Sequence, residues 1–269
     1  MTVRRLLRIG INVGDLDLAQ EFYTQALGFS PVGSTVDDAV LARLLGVRRA
    51  HTRTLALGKQ RVELALCDPP GLAYPADSSS ADLWFQHFAI ATPDIAAAFE
   101  RLRRHRYTPI TRDGPQQLPA AWGGAVAYRF RDPDGHPLEL IQFAEAATSA
   151  GIDHSAINVT DTALSVAFYE QLGFSRGSRR VNAGPEQDRL TGLQNVELEV
   201  TAIRPLDQAT PYIALLEYRA PAGRAVITDL PDIVATRMVM ESDAIDDEAV
   251  VFDPDGHALL VVPVLDSND

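Results

Sequence analysis

Apolar residues along this chain recur with two alternating periods. Ile9, Ile11 and Val13 alternate with Arg8, Gly10 and Asn12, the two-residue period of a strand with one buried face. From Leu16 the spacing changes. Leu16, Ala19, Phe22, Tyr23 and Leu27 stand at helical spacing, and Gly28 follows where a helix prefers a left-handed exit residue. The same order returns further along: Ile157 and Val159 alternate ahead of Leu164, Phe168 and Leu172 at helical spacing, and Gly173 ends the segment.

These segments are copies of one another, INVGDLDLAQEFYTQALGF at 11–29 and INVTDTALSVAFYEQLGF at 157–174. A second repeat, FRDPDGHPLELIQF at 130–143 and FDPDGHALLVVP at 252–263, places Asp-Pro-Asp-Gly between apolar strands, a strong turn signal. His136 and His257 follow the turn glycines and are expected to be exposed. The repeats divide the chain into four modules, at about 6–68, 82–144, 151–219 and 234–264. Module 1 should carry strands near 6–13, 29–34, 48–57 and 60–67. Module 2 should carry a strand at 84–91, a helix at 94–105 and three further strands. Module 4 has too few residues between Glu241 and Glu248 for a helix, since three turns take about 11 residues. Its sheet should therefore show a bare apolar patch on its outer face, which could support a homodimer. The Pro-, Gly- and Ser-bearing stretches 68–82 and 219–233 read as linkers in matching positions. The chain thus reads as two copies of a two-module unit, 1–145 and 150–266.

Composition narrows the function classes. A formal net charge of −12 opposes nucleic-acid binding, which needs a basic surface. The basic run Arg101, Arg103, Arg104, His105 and Arg106 ends a predicted helix, where positive charge complements the macrodipole. No apolar run approaches the roughly 20 residues of a membrane span. No A-x-A-like cleavage site follows the first residues, so no signal peptide is read. Cys67 is the only cysteine, which excludes intrachain disulfides and points to a cytoplasmic address.

The Asp-bearing helix start, the Phe-Tyr…Leu-Gly-Phe helix end and the closing Asp-Pro-Asp-Gly-His with Glu139 and Leu140 resemble the vicinal-oxygen-chelate superfamily. That superfamily includes glyoxalase I, methylmalonyl-CoA epimerase, extradiol dioxygenases, and fosfomycin and bleomycin resistance proteins. The resemblance covers nearly the whole chain. It implies an α+β fold of tandem βαβββ modules of the glyoxalase/bleomycin resistance/dihydroxybiphenyl dioxygenase type, with module 4 degenerate. Two such modules form a cupped, incomplete barrel, with metal ligands on the first and last strand of each. Carried over residue by residue, those positions are Arg8 and Glu63 in module 1, and His87 and Glu139 in module 2. They are His154 and Ala214 in module 3, and Arg237 and Leu260 in module 4.

Strand parity supports this placement independently. Ile9 and Ile11, Phe88 and Ile90, and Ile157 and Val159 define one face of their strands, so Arg8, His87 and His154 point to the other. Glu63 and Glu139, flanked by apolar neighbours, do the same. A carboxylate inside an apolar cup must be paired or metal-bound. Two imidazoles with a carboxylate suit a divalent Fe, Mn, Zn or Ni ion. Guanidinium does not ligate metals, so Arg8 and Arg237 read as binders of an acidic substrate group. Glu63 reads either as a catalytic base or as the salt-bridge partner of Arg8 or Arg237. If modules 1 and 2 share a cup, Glu63, His87 and Glu139 meet. If modules 2 and 3 pair, His87, Glu139 and His154 meet. The second arrangement is preferred, because it gives one metal-like cup and one Arg-rich cup.

Three functions follow. The first is a metal-dependent enzyme, of lyase or isomerase type, acting on a small oxygenated molecule by chelation and anion stabilisation. The second is a ring-cleaving dioxygenase, weakened because Arg129 stands where that family has Tyr. The third is a metal-free small-molecule binding or resistance protein, with Trp84, Phe85 and Trp122 near the cup rim.

Overall fold

The computed structural model describes residues 2–145, 149–225 and 228–264. Module 1 holds β1 (Val3–Asn12), α1 (Leu16–Gln25), β2 (Ser30–Asp37), α2 (Ala39–Leu45), β3 (Arg49–Leu57) and β4 (Gln60–Asp68). Module 2 holds β5 (Gln86–Ala91), α3 (Ile95–Leu102), two short strands β6 (Thr108–Pro109) and β7 (Gln116–Gln117), then β8 (Val126–Arg131) and β9 (Pro137–Gln142). Module 3 holds β10 (Gly151–Asn158), α4 (Thr162–Gln171), β11 (Ser175–Ala183), α5 (Pro185–Thr191), β12 (Glu197–Arg204) and β13 (Tyr212–Ala220). Module 4 is three strands, β14 (Arg237–Ser242), β15 (Ala249–Phe252) and β16 (Ala258–Pro263). The short helices α2 and α5 were not anticipated from the periodicity, because seven residues make too few turns to show a stripe.

Local chemistry starts the long helices. Asp15 and Asp161 each accept two backbone N–H groups of the first turn, and Asp94 accepts the Ala97 N–H. Gly28 and Gly173 leave α1 and α4 with φ of 82° and 90°, as a helix exit requires. The helical phase of α4 differs from expectation. Thr162, Ser165, Val166 and Tyr169 are buried, and Leu164 is 55% exposed. Its inner face is turned by about one residue, so small Ser165 packs where Leu164 was expected.

The strands form two open sheets. The first runs β15-β16-β14-β1-β4-β3-β2, joining module 4 to module 1. The second runs β11-β12-β13-β10-β5-β9-β8-β6, with β7 also on β8, joining module 3 to module 2. The seams are antiparallel first-strand pairs, β1 with β14 and β10 with β5. The two sheets pack back to back, with helices between them. Ile9, Ile11, Leu64, α1, Phe88, Ile90 and Phe130 share one core. Met238, Met240 and Leu259 of module 4 share another with Val166 and Tyr169 of α4 and Ile157 and Leu215 of module 3. This corrects the bare patch expected on module 4. Met238, Met240 and Leu259 are fully buried, because α4 and the facing sheet cover the surface that the missing helix would have covered. Among the described residues, no helix is long and apolar enough to cross a membrane.

The two sequence repeats lock onto each other across module boundaries. Tyr23 Oη at the end of α1 donates to Asp132 Oδ2 in the first Asp-Pro-Asp-Gly turn, 3.1 Å away. Tyr169 Oη of α4 does the same to Asp253 Oδ2 at 3.2 Å. The other oxygen of each aspartate organises its turn by accepting backbone N–H groups, those of Asp134, Gly135 and His136 in one case and of Asp255 and His257 in the other. The histidines expected at exposed turn positions are instead buried. His136 bridges Asp132 and the Ile233 carbonyl, and His257 contacts the Asn158 carbonyl at 2.7 Å. Burial disfavours charge on His136, but Asp132 beside it raises its pKa above the ordinary value.

The linkers are also paired. Leu72 N–H donates to Asp232 and Arg224 N–H to Asp82, which places each linker against the other's aspartate. A Cβ at Gly71 would lie 2.2 Å from the Pro231 oxygen and one at Gly223 1.7 Å from the Ala81 oxygen, so only glycine permits these crossings.

Tyr169→Phe should lower stability by about 1–3 kcal/mol in urea unfolding, because it leaves Asp253 Oδ2 buried without its donor. Tyr23→Phe should cost less, about 0.5–1.5 kcal/mol, because His136 Nδ1 still contacts Asp132 Oδ2. Leu164→Ala should change it by no more than about 0.5 kcal/mol, as expected for an exposed position.

Candidate functional site

The β-ladder registers align the four modules. Gly10 pairs with Glu63, Ala89 with Glu139, Ala156 with Ala214 and Val239 with Leu260. Arg8, His87, His154 and Arg237 each stand two residues before the first member of those pairs. The eight positions are therefore equivalent, and all face away from the shared core into one of two cups.

The cup of modules 2 and 3 brings together His87, Glu139 and His154. His87 Nε2 lies 3.3 Å from Glu139 Oε2, and the rings of His87 and His154 are 6.0 Å apart. His87 and Glu139 are almost wholly buried. Neither ring nitrogen of His87 makes a hydrogen bond. His154 Nδ1 contacts Asp153 Oδ2 at 2.8 Å, which orients the ring and leaves Nε2 for the cup. The arrangement also contains a cation that the sequence reading did not connect to it. Arg129 Nε donates to Glu139 Oε2 at 2.6 Å, and Tyr218 stands beside the same guanidinium. Arg129 and Glu139 are ladder partners across the hairpin. Counting outward equally from the five residues Asp132–His136 gives this pair, so the signal was present in the sequence.

Burial pushes the His87 pKa down to about 4, with Arg129 adding to the effect and Glu139 opposing it. Burial alone would raise the Glu139 pKa, but Arg129 and His87 hold it well below the usual carboxylate range. The cup is otherwise apolar around Ala89, Ala127, Ala156, Ala214 and Leu198. Further buried polar atoms without partners are Arg129 Nη1, Arg180 Nε, Asn182 Oδ1, Tyr218 Oη and both amide atoms of Gln187. Gln187 comes from α5, which bridges the modules: the Leu190 carbonyl accepts from Thr111 and the Thr191 carbonyl from Ser80.

The cup of modules 1 and 4 holds Arg8, Glu63 and Arg237. Arg8 Nε donates to Glu63 Oε2 at 2.8 Å, and Arg237 Nη1 donates to Asn12 Oδ1 at 2.6 Å. The three residues expected as catalytic base and substrate binders thus lie on a different sheet from His87, Glu139 and His154. Glu63, Arg8 and Arg237 are not placed to act on a molecule held there. Of the aromatics expected near the rim, Phe85 is fully buried, and Trp84 and Trp122 are half-buried.

Does the module 2–3 cup suit a divalent metal? Imidazole, imidazole and carboxylate are suitable donors, and 3.3 Å is a spacing two ligands of one ion can adopt at bond lengths of about 2.0–2.2 Å. The unpartnered His87 nitrogens are consistent with a ligand role. Among the described residues, however, no three His, Cys, Asp or Glu side chains are already gathered as a metal group, and Arg129 holds Glu139. A charge pair at about 4 Å contributes roughly 4 kcal/mol at an effective dielectric of about 20. Structural zinc binding reaches about 10–16 kcal/mol. The donors therefore fit a metal, with Arg129 as a competitor it must displace.

Comparison with known proteins agrees with the architecture. The family model described as "Glyoxalase/Bleomycin resistance protein/Dioxygenase superfamily" matches residues 5–140. The chain belongs to this superfamily. It is similar to "Lactoylglutathione lyase GLX1" of Arabidopsis thaliana, 28% identical over 74% of this chain and 65% of that protein. It is also similar to "Lactoylglutathione lyase" of Oryza sativa, 29% identical over 62% of this chain and 53% of that protein. The matches thus span about half to two thirds of these plant relatives. Against "Lactoylglutathione lyase" of Salmonella typhimurium the identity is 27%, over 55% of this chain and 98% of that protein. Glyoxalase I from Zea mays shares the fold, with TM-score 0.65 and 19% identity over 97% of this chain and 92% of that one. A putative dioxygenase from Bacillus subtilis does so with TM-score 0.57 and 13% identity over 97% and 86%.

The depressed His87 pKa has a stability consequence. The unfolded chain binds the proton at about 6.5 and the folded one only near 4, so stability rises with pH between those values and is lost as pH falls through them. In chelator-treated protein this contribution is on the order of 3 kcal/mol. Urea unfolding at pH 7 and pH 4.5 should show the loss, and His87→Gln should flatten the dependence.

Proposed function

We propose that this chain is an enzyme of lyase or isomerase type, acting on a small oxygenated molecule in the cup of modules 2 and 3. The observation that carries the proposal is the convergence there of His87, Glu139 and His154 at equivalent ladder positions, with His87 buried and unpartnered. These three residues would hold a divalent metal ion, Fe, Mn, Zn or Ni. When bound, the ion would supply Lewis-acid polarisation of neighbouring substrate oxygens. The similarity to lactoylglutathione lyases supports a lyase-type reaction.

The protein's own groups define how substrate is held. Arg129 Nη1 and Tyr218 Oη are unused donors beside Glu139, and Arg180 Nε adds a third on β11. They suit a substrate carrying oxygen acceptors or an acidic group, which is the role expected of Arg8 and Arg237. Leu190 of α5 packs with Ala89 and Ala127, and His87 and Glu139 are almost wholly buried, so charges there interact more strongly than in solvent. An enclosed cup of this kind takes a small molecule and not a polymer.

The Arg129–Glu139 ion pair favours a second reading. With a resident guanidinium neutralising the carboxylate, the same cup could serve as a metal-free binding site for a small acidic ligand.

Metal analysis of protein purified without chelator separates the two. On the enzyme reading, about one first-row metal ion copurifies per chain. His87→Ala and His154→Ala each lower that content, and Arg129→Ala preserves or raises it by releasing Glu139. Metal-free protein under metal-replete conditions, unchanged by Arg129→Ala, would leave the binding-protein reading.

A further inference from the structure

Helix α4 and the strands β11, β12 and β13 border a crevice of about 390 Å³. It lies on the face of the sheet turned away from the module 2–3 cup, since Thr201 in its wall pairs with Leu215 of the inter-sheet core. The repeat shows what fills the same place in module 1. Thr201 precedes the ladder partner of Ala214, and Arg53 precedes that of Glu63, so the two positions are equivalent. The Arg53 guanidinium lies at the start of α1, on the Leu16 carbonyl at 3.3 Å, Thr35 Oγ1 at 2.8 Å and Asp17 at 2.6 Å. In module 3, Thr162 stands at the place of Leu16 and Ala163 at that of Asp17. A short side chain has replaced the arginine, and the crevice opens beside it.

Two hydroxyls in the wall of this crevice have nothing to bond. Thr201 is 0% and Thr162 7% exposed, and Oγ1 of each is buried without a partner among the described residues. A buried hydroxyl left unpaired costs free energy that a ligand N–H would recover. Charge decides what kind of ligand suits. Glu197, Arg219, Glu199 and Arg179 form a chain of ion pairs that is neutral in itself. Outside that chain the crevice is lined by Asp161, Glu170 and Glu217 against Arg176, three carboxylates to one guanidinium. Glu217, the ladder neighbour of Glu199, accepts the Thr162 N–H at 2.9 Å and has no cation within 4 Å among the described residues. Acceptors and surplus negative charge thus face the space where the copy of this crevice holds a guanidinium.

We infer that this crevice is a binding site for a small alkylguanidinium cation, whose planar head takes the place that Arg53 fills in module 1 and bonds Thr162 Oγ1, Thr201 Oγ1 and the Glu217 carboxylate. The site is separate from both cups and independent of any metal and of the reaction in the cup of modules 2 and 3.

The test is thermal unfolding of the full chain in millimolar methylguanidinium chloride and in sodium chloride at matched ionic strength. The expected result is a saturable midpoint rise of at least about 2 °C over sodium chloride. Methylurea, which has a similar planar shape and no charge, should give no such rise. Thr201→Arg returns to module 3 the side chain that module 1 carries, and should abolish the rise. Glu217→Gln keeps an acceptor for the Thr162 N–H and removes the charge, so it should raise the half-saturating concentration about tenfold or more. No saturable rise with methylguanidinium in the wild type overturns the proposal. So does an equal rise with methylurea, which would mark a site for neutral amides, or a rise that Thr201→Arg or Glu217→Gln leaves unchanged, which would place the cation elsewhere.

Discussion

Two buried hydrogen bonds, Tyr23 to Asp132 and Tyr169 to Asp253, connect the parts of this molecule that local folding alone cannot bring together. Each joins the end of a helix in one module to a turn in the next. Burial pushes both phenols far above their ordinary pKa, and the aspartates beside them do so further, so the hydroxyls remain donors. Each aspartate also organises the backbone of its own turn. Loss of the Tyr169 bond would leave Asp253 Oδ2 buried without a donor, the costly half of the hydrogen-bond asymmetry, whereas Asp132 Oδ2 would keep His136. The back-to-back packing of the sheets, and hence the outward orientation of both cups, depends on these contacts and on the helices held between the sheets.

The cups differ in charge for a reason visible at single positions. Each is lined by apolar strand residues, so any ionised group in it needs a partner. In the module 2–3 cup, Glu139 finds Arg129, while neutral His87 remains with both nitrogens free. In the module 1–4 cup, Glu63 finds Arg8, and Arg237 is left with an amide. Exchanging imidazole for guanidinium converts a position that could ligate a cation into one that repels it. The duplicated scaffold thus lines its two cups with different chemistry.

Degeneracy of module 4 has a structural compensation. α4 and the facing sheet cover Met238, Met240 and Leu259, the surface that its missing helix would have covered. Short β15 lies at the edge of its sheet, and Phe252 at its end is half exposed. A short edge strand limits sheet-to-sheet pairing with other chains.

Much was legible in the sequence, because strand parity, helix spacing and turn chemistry are local. Ile9 and Ile11 put Arg8 on the cup face, as Phe88 and Ile90 did for His87. The repeated Asp-Pro-Asp-Gly turns marked module ends to within a few residues. The Arg129–Glu139 partnership could also have been counted from the turn. Three things were decided only by tertiary structure. Which modules share a cup depends on the antiparallel seams β1–β14 and β10–β5, the first of which pairs residues as far apart as Val3 and Ser242, contacts that no local pattern encodes. The burial of His136 and His257 depends on distant carbonyls, those of Ile233 and Asn158, arriving beside their turns. The separation of Glu63, Arg8 and Arg237 from His87, Glu139 and His154 follows from the same seams. Parity states which face a side chain takes, and only the assembled sheet states whose face it meets.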